Sequence, residues 1–394
     1  MEINQNKFLP IWLALSLFLT ACSSPHTLEK RVTEDNYKSV SISSEGKVAN
    51  GEPVRFWFDE PVDFLLNKDE VTTPLKIKGD RLRILALSGG GANGAYGAGV
   101  IKGLRDSGQL ANYSIVTGIS AGSLIAPFVF AGDENIDYLK EVMLSLNDKL
   151  VLGKRNFLNT LLKDAFTDGE SMLDFIEKVY TPALIDKIAL EHKAGRRLFI
   201  GTTHFDSEEL VVWNIGRIAE SDMPNKAELI HQILAASSSI PGVFPPQFIN
   251  VNYLDEQYEE LHVDGGIVMQ MFFNPGQINY HELNQALGLS VAPQVHVIRN
   301  GFLKVPYQSV PDKGIKLLSR SLSSLTVQQA KGDLYRMMYI SELNNLDLSF
   351  TFIEDSFEAP KVTNDMFDLE YMKALYHYGY NKAVQGDLWQ TEVP

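Results

Sequence analysis

The 394-residue sequence predicts an α/β protein, with a mostly parallel central sheet sandwiched by helices and a serine held on a tight strand-to-helix turn. Three observations predict it. Short apolar runs such as Leu82, Ile84, Leu85, Ala86 and Leu87 end on small residues, as strands buried on both faces do. These runs alternate with stretches at helical spacing, the pattern of strands joined by crossover helices. Two of the runs lead into glycine turns that open helix-like segments: Gly89-Gly90-Gly91-Ala92-Asn93-Gly94 after the first, and Gly118-Ile119-Ser120-Ala121-Gly122 after Ser114 to Thr117.

The composition, 45% hydrophobic and 21% charged, allows a large buried core. Lys plus Arg number 35 against 49 Asp plus Glu, and the resulting net charge of −14 repels nucleic acid and excludes it as a partner class. Cys22 is the single cysteine, so neither an intramolecular disulfide nor a cysteine metal cluster can form. No calcium loop or zinc motif is evident, and no metal or other cofactor is expected.

In chain order, residues 1–21 read as a signal peptide. Lys7 precedes an apolar run, Phe8 to Leu19, that is too short to span a bilayer comfortably. The run Leu19-Thr20-Ala21-Cys22 resembles the lipobox of bacterial lipoproteins, which implies cleavage before Cys22 and acylation of that cysteine. The expected place is the bacterial cell envelope, lipid-anchored, and Ser23 in the next position implies the outer membrane. Residues 22–50, rich in Ser, Thr, Glu and Lys, read as the lipidated cysteine and an extended tether, and 51–80 as an N-terminal extension. Residues 81–300 read as the catalytic domain, with strand candidates at Arg197 to Thr203, Leu210 to Asn214, Leu261 to Val263 and Gln294 to Arg299. A helical insert at 133–195 carries Leu158, Leu161, Leu162, Ala165 and Phe166 at a spacing that suits a lid. Residues 301–394 read as mainly helical and packed on the domain, with helices over Lys313 to Leu343 and Asn364 to Gln385 around a strand at Leu346 to Ile353.

Consecutive glycines let backbone N–H groups converge, and the helix behind them adds positive potential, so the first turn suits an anion. A dinucleotide reading of it requires a carboxylate after the second strand, and Val116-Thr117-Gly118 carries none. The second turn is the G-x-S-x-G pattern of a nucleophile elbow, in which tiny neighbours permit a strained, outward-facing serine. A third motif, His262-Val263-Asp264-Gly265-Gly266, delivers an aspartate onto a glycine turn. Serine needs a base. Among histidines after Asp264, His281, His296 and His377 stand in no turn context, and both His296 and His262 read as strand residues.

The order GGGxxG, GxSxG, DGG resembles the patatin-like phospholipases, lipid acyl hydrolases with a Ser-Asp dyad and no catalytic histidine. Gly201-Thr202-Thr203 through Val212 and Ala236 to Pro246 are similar to further family segments, so the resemblance spans about Leu82 to Ile267. It implies Ser120 as nucleophile, Asp264 as base, oxyanion-hole amides at Gly89, Gly90 and Gly91, and motif glycines Gly94, Gly118, Gly122, Gly265 and Gly266. Asn93 departs from the family, many of whose members carry Arg or Lys there. A phospholipid or other acyl-ester lipid is the implied substrate. The alternatives are an acyltransferase or thioesterase using the same dyad, or a non-catalytic lipid-binding lipoprotein.

Overall fold

The structure is a computed structural model that describes residues 30–42, 51–132, 134–149, 170–304, 307, 309–359, 362–363 and 365–393. The expected signal peptide, Cys22 and the proposed lid stripe from Leu158 to Phe166 lie outside the described residues.

The elements run β1 (Ser41–Ile42), β2 (Arg55–Trp57), β3 (Arg83–Leu87), α1 (Gly94–Asp106), β4 (Ile115–Gly118), α2 (Ala121–Ala131), α3 (Glu134–Ser145), α4 (Glu170–Val179) and α5 (Pro182–Lys193). They continue through β5 (Arg197–His204), β6 (Glu209–Asn214), α6 (Ile215–Glu220), α7 (Lys226–Ser237), β7 (Gln247–Tyr253), β8 (Glu256–Asp264), α8 (Tyr280–Ala286), β9 (Gln294–Ile298), α9 (Gly314–Leu343), β10 (Asp347–Thr351) and α10 (Leu369–Gln385). Among the described residues no helix is long and apolar enough to cross a membrane.

The fold is the expected α/β/α sandwich, and its ten-stranded sheet is mixed. One half is parallel: β10, β9, β3, β4 and β5. The other half is antiparallel, with β6 and β2 outward from one edge of β5 and β8, β7 and β1 outward from the other. Alternate residues of β3 enter different cores. Leu85 and Leu87 pack with α1 and α2, while Ile84 and Ala86 pack with Leu334 and Met337 of α9. Burial on both faces is why this strand reads as a continuous apolar run.

One segment read from the sequence differs in the structure. Residues 30–42 are docked and not an extended tether: Val32 and Ile42 are buried, β1 pairs with β7, and Arg31 holds Asp206 at 2.8 Å. A few apolar side chains on an available sheet edge suffice to dock a segment whose composition is otherwise polar. Past residue 300 the described residues continue the same sheet. β10 extends the parallel half beside β9, and α10 lies against α1 at Gly99, where an added Cβ would sit 2.0 Å from the Tyr376 carbonyl oxygen.

One feature of the pairing positions the site. β6 occupies one edge of β5, so β4 and β8 share the other. They approach it head-on, β4 ending with Gly118 opposite Ile200 and β8 ending with Asp264 opposite Thr202, so that the two strand ends meet across Gly201.

Candidate active site

Ser120 follows β4 after a single residue, Ile119. Its φ of +53° and ψ of −125° are a strained conformation for a residue with a Cβ, worth on the order of 1–3 kcal/mol. The turn exists because its neighbours are tiny. A Cβ on Gly122 would fall 2.2 Å from the Leu87 carbonyl oxygen, and one on Gly118 2.6 Å from that of Gly122. A Cβ on Gly94 would fall 2.9 Å from that of Ala121, a less severe approach that seats α1 against the start of α2.

Asp264 ends β8, and its Oδ2 accepts the Ser120 hydroxyl at 2.7 Å. Its Oδ1 accepts the Gly266 N–H at 2.7 Å, fixing the carboxylate plane. Gly265 packs against the Gly201 carbonyl, where an added Cβ would lie 2.5 Å from the oxygen. Both side chains are buried, at 6% exposed for Ser120 and 4% for Asp264. Burial pushes the Asp264 carboxyl up to about 7, against the opposing pull of the Ser120 and Gly266 hydrogen bonds.

The glycine loop sits across from this pair, and Gly90, Gly91, Ser120 and Asp264 line a cavity of about 570 Å³. Gly89 differs from its neighbours. Its N–H donates to the Gln270 carbonyl at 3.0 Å and is already engaged, whereas no described residue accepts from the N–H of Gly90 or Gly91. Asn93 accepts the Tyr371 hydroxyl at 3.1 Å. A positive charge stands beside the loop on Arg299, after β9. This buried guanidinium donates to the Gly89 carbonyl at 2.9 Å and to Gln270 Oε1 at 3.3 Å, and burial lowers its pKa to about 10. A cation bonded to the Gly89 carbonyl polarises the Gly89–Gly90 peptide and strengthens the Gly90 N–H as a donor.

Several residues that sequence reasoning missed hold the pair in register. Ser237, at the end of α7, accepts the Ser120 N–H at 3.0 Å and donates to the Gly201 carbonyl at 2.8 Å. Two residues on, the Ser239 carbonyl accepts the Asp264 N–H at 3.0 Å. Gln270 donates to the Gly266 carbonyl at 2.8 Å and to Gln329 of α9 at 3.1 Å, and its own N–H donates to Asp333 of α9 at 2.7 Å. The Ser-rich segment was visible in the sequence; for Gln270, Gln329 and Asp333 there was no local signal.

The histidines lie apart from this pair. His296 shares a 2.7 Å hydrogen bond with the Tyr113 hydroxyl and stacks on Trp389 with ring centres 4.1 Å apart, and burial lowers its pKa to about 4. His262 bonds Thr202 at 2.9 Å and Glu260 at 3.1 Å. His281 and His377 are exposed. Among the described residues no histidine bonds Ser120 or Asp264, and none of their His, Cys, Asp and Glu side chains cluster so as to hold a metal ion.

Fold and site together define a class: an α/β/α protein with a strained serine on a strand-to-helix elbow beside a buried carboxylate. Within that class, residues 85–275 match the family model of the patatin-like phospholipases. That stretch of the chain is therefore similar to a patatin-like domain. A relative in sequence is an uncharacterized protein, R571, of Acanthamoeba polyphaga mimivirus, 25% identical over 236 residues that make up 57% of this chain and 70% of the relative. Among solved structures, VipD from Legionella pneumophila is similar with a TM-score of 0.37 and 13% identity, over 80% of this chain and 68% of that one. The type III effector protein ExoU is similar with a TM-score of 0.35 and 12% identity, over 78% of this chain and 53% of that one.

Proposed function

We propose that the protein is a lipid acyl hydrolase of the phospholipase A or lysophospholipase kind, working through a Ser120–Asp264 dyad and an acyl-enzyme. The observation that carries this reading is the 2.7 Å contact between Ser120 Oγ and a buried carboxylate poised near neutrality. As Oγ attacks the ester carbonyl, its proton passes to Asp264 Oδ2. An ordinary aspartate, with a pKa of about 3.9, is too weak a base for this near pH 7; the dry site removes that mismatch. The developing oxyanion takes hydrogen bonds from the Gly90 and Gly91 amides, each worth about 10² to 10³ in rate, while Gly89 serves to pin the loop. The leaving alcohol then takes the proton from Asp264, and water, deprotonated in turn by Asp264, releases the fatty acid and restores Ser120.

Fatty-acid release from mixed phospholipid vesicles tests the proposal. Ser120→Ala and Asp264→Asn are expected to lower release by about 10³-fold or more with folding intact, while His296→Ala and His377→Ala keep turnover. Loss only in a histidine variant would overturn the dyad, and transfer of the acyl group to an acceptor other than water would make the protein an acyltransferase.

The lipobox-like Leu19-Thr20-Ala21-Cys22 supports a further part of the reading, that the enzyme is anchored through acylated Cys22 in a bacterial envelope, at the outer membrane. Cys22→Ser is expected to release the protein from the membrane fraction or arrest its maturation, and unchanged fractionation would remove the anchor from the account.

A further inference from the structure

We propose that the N-terminal half of α9 is a docking helix that seats the catalytic cavity on an anionic lipid surface. The inference rests on the lipid-hydrolase reading and adds to it how the substrate layer is met. Leu317, Leu318, Leu322 and Leu325 are 48%, 60%, 56% and 65% exposed. Leu318, Leu322 and Leu325 fall at i, i+4 and i+7, one stripe along the helix. A globular protein normally turns such a stripe into its core, as the second half of α9 does with Leu334 and Met337.

Two further features identify the occupant. Charge is the first: from Lys313 to Lys331 the helix carries Lys313, Lys316, Arg320 and Lys331 and no carboxylate, in a chain whose net charge is −14. Leucines on one face of the helix, with Lys316, Arg320 and Lys331 on the opposite face, are the arrangement of a helix that lies in the plane of an anionic lipid layer. Continuity with the site is the second. Arg320, Ser323, Thr326 and Val327 line the catalytic cavity from the same turns, and so does Ile267, which is 46% exposed beside the Asp264 turn. Gln329 donates to the Ile267 carbonyl at 3.2 Å, so the helix and the turn bearing the carboxylate form one rim. The leucine stripe and the cavity-lining residues occupy different faces of the same turns, so a lipid layer meeting the stripe lies one helix diameter, about 10 Å, from the cavity that holds Ser120.

The test uses the full chain with vesicles of phosphatidylglycerol or phosphatidylcholine bearing brominated acyl chains. Leu322→Trp fluorescence is expected to be quenched at least twofold more than that of the unsubstituted protein, and more by phosphatidylglycerol. Leu318→Ser with Leu322→Ser and Leu325→Ser is expected to cut fatty-acid release from phosphatidylglycerol vesicles at least tenfold, leaving a water-soluble short-chain ester hydrolysed within twofold. Lys313→Gln with Lys316→Gln is expected to lower the ratio of release from anionic over zwitterionic vesicles at least threefold. Quenching no greater than in the unsubstituted protein would overturn the proposal, as would equal loss on the soluble ester or a dimer that the leucine substitutions dissociate. Quenching without hydrolysis of any ester would sink the enzymatic reading and leave the docking face standing.

Discussion

The two halves of the sheet deliver the two partners of the proposed dyad by different physical means. Ser120 arrives on the parallel half, whose strands are apolar on both faces and whose elbow closes because Gly118 and Gly122 let backbone meet backbone. Asp264 arrives on the antiparallel half, where the interior beside β8 is ionic and hydrogen-bonded. Glu260, wholly buried, pairs with Arg55; its neighbour His262 bonds Thr202, which also accepts the Trp213 indole N–H at 2.8 Å. Steric closure thus positions Ser120, and buried polar pairing surrounds the strand that carries Asp264.

The sharpest way to break the first half is Gly122→Ala. The added methyl would fall 2.2 Å from the Leu87 carbonyl oxygen, and backbone cannot yield as a flexible side chain does. A destabilisation of about 4 kcal/mol or more is expected, read as loss of soluble folded protein or of a cooperative thermal transition.

The antiparallel half is expected to break next, through charge. Burial alone would raise the Glu260 carboxyl, but Arg55 and the His262 hydrogen bond outweigh it and hold the group well below the usual range. Glu260→Gln would leave Arg55 as an uncompensated buried cation, at a cost of about 3–5 kcal/mol in denaturant unfolding. Arg55→Met with Glu260→Leu should cost less than Glu260→Gln alone. If the double variant were the worse of the two, the pair would be stabilising in its own right and the contrast with steric closure would weaken.

This contrast also explains what was legible in the sequence. The elbow, the glycine loop and the Asp-Gly-Gly turn are local: each needs particular small residues in a row, so Ser120 and Asp264 could be picked out without a fold. The strands of the parallel half were legible for the same reason, as unbroken apolar runs. The antiparallel hairpin was only half seen, with a strand expected at Leu261 to Val263 and none at 247–253. Its two-residue turn is Leu254-Asp255, both with positive φ, where Asn-Gly is the common pair, so no turn signal stood between β7 and β8. Arg299 reaches the site on the end of parallel β9, Gln270 on the turn after β8, and Gln329 and Asp333 on the return of α9, and no spacing between them announces it. The docked segment 30–42 was hidden by composition, because Val32, Tyr37, Val40 and Ile42 are scattered through an otherwise polar run.

Turnover itself should report the buried carboxylate. Asp264 must be ionised to accept the Ser120 proton, so activity on a soluble ester is expected to fall about tenfold per pH unit below about 7 and to level off above it. A rate that stays flat down to pH 5 would mean an ordinary aspartate and a different account of the base. Ser237→Ala should have a smaller effect. It removes the hydroxyl that joins the Ser120 N–H to the Gly201 carbonyl across the meeting point of the two halves, and about a tenfold loss in kcat with little change in KM is expected.

The smallest effect expected is a gain. Asp264 has its folded-state pKa raised from 3.8 to about 7, so between those values the folded protein binds a proton that the unfolded chain has lost. Stability therefore falls as pH rises through this window, and the loss is complete above about 7, where the carboxylate is charged and buried. Asp264→Asn removes that charge while keeping the shape and an acceptor for Gly266. Part of the gain is offset because a buried amide is itself costly to desolvate. A net stabilisation of roughly 1–2 kcal/mol is expected at pH 8, seen as a higher thermal midpoint and vanishing near pH 4, where both proteins carry a neutral group. An equal offset at both pH values would assign the difference to packing, and the cost of the dyad would then lie in the strained elbow of Ser120 and not in the charge of its partner.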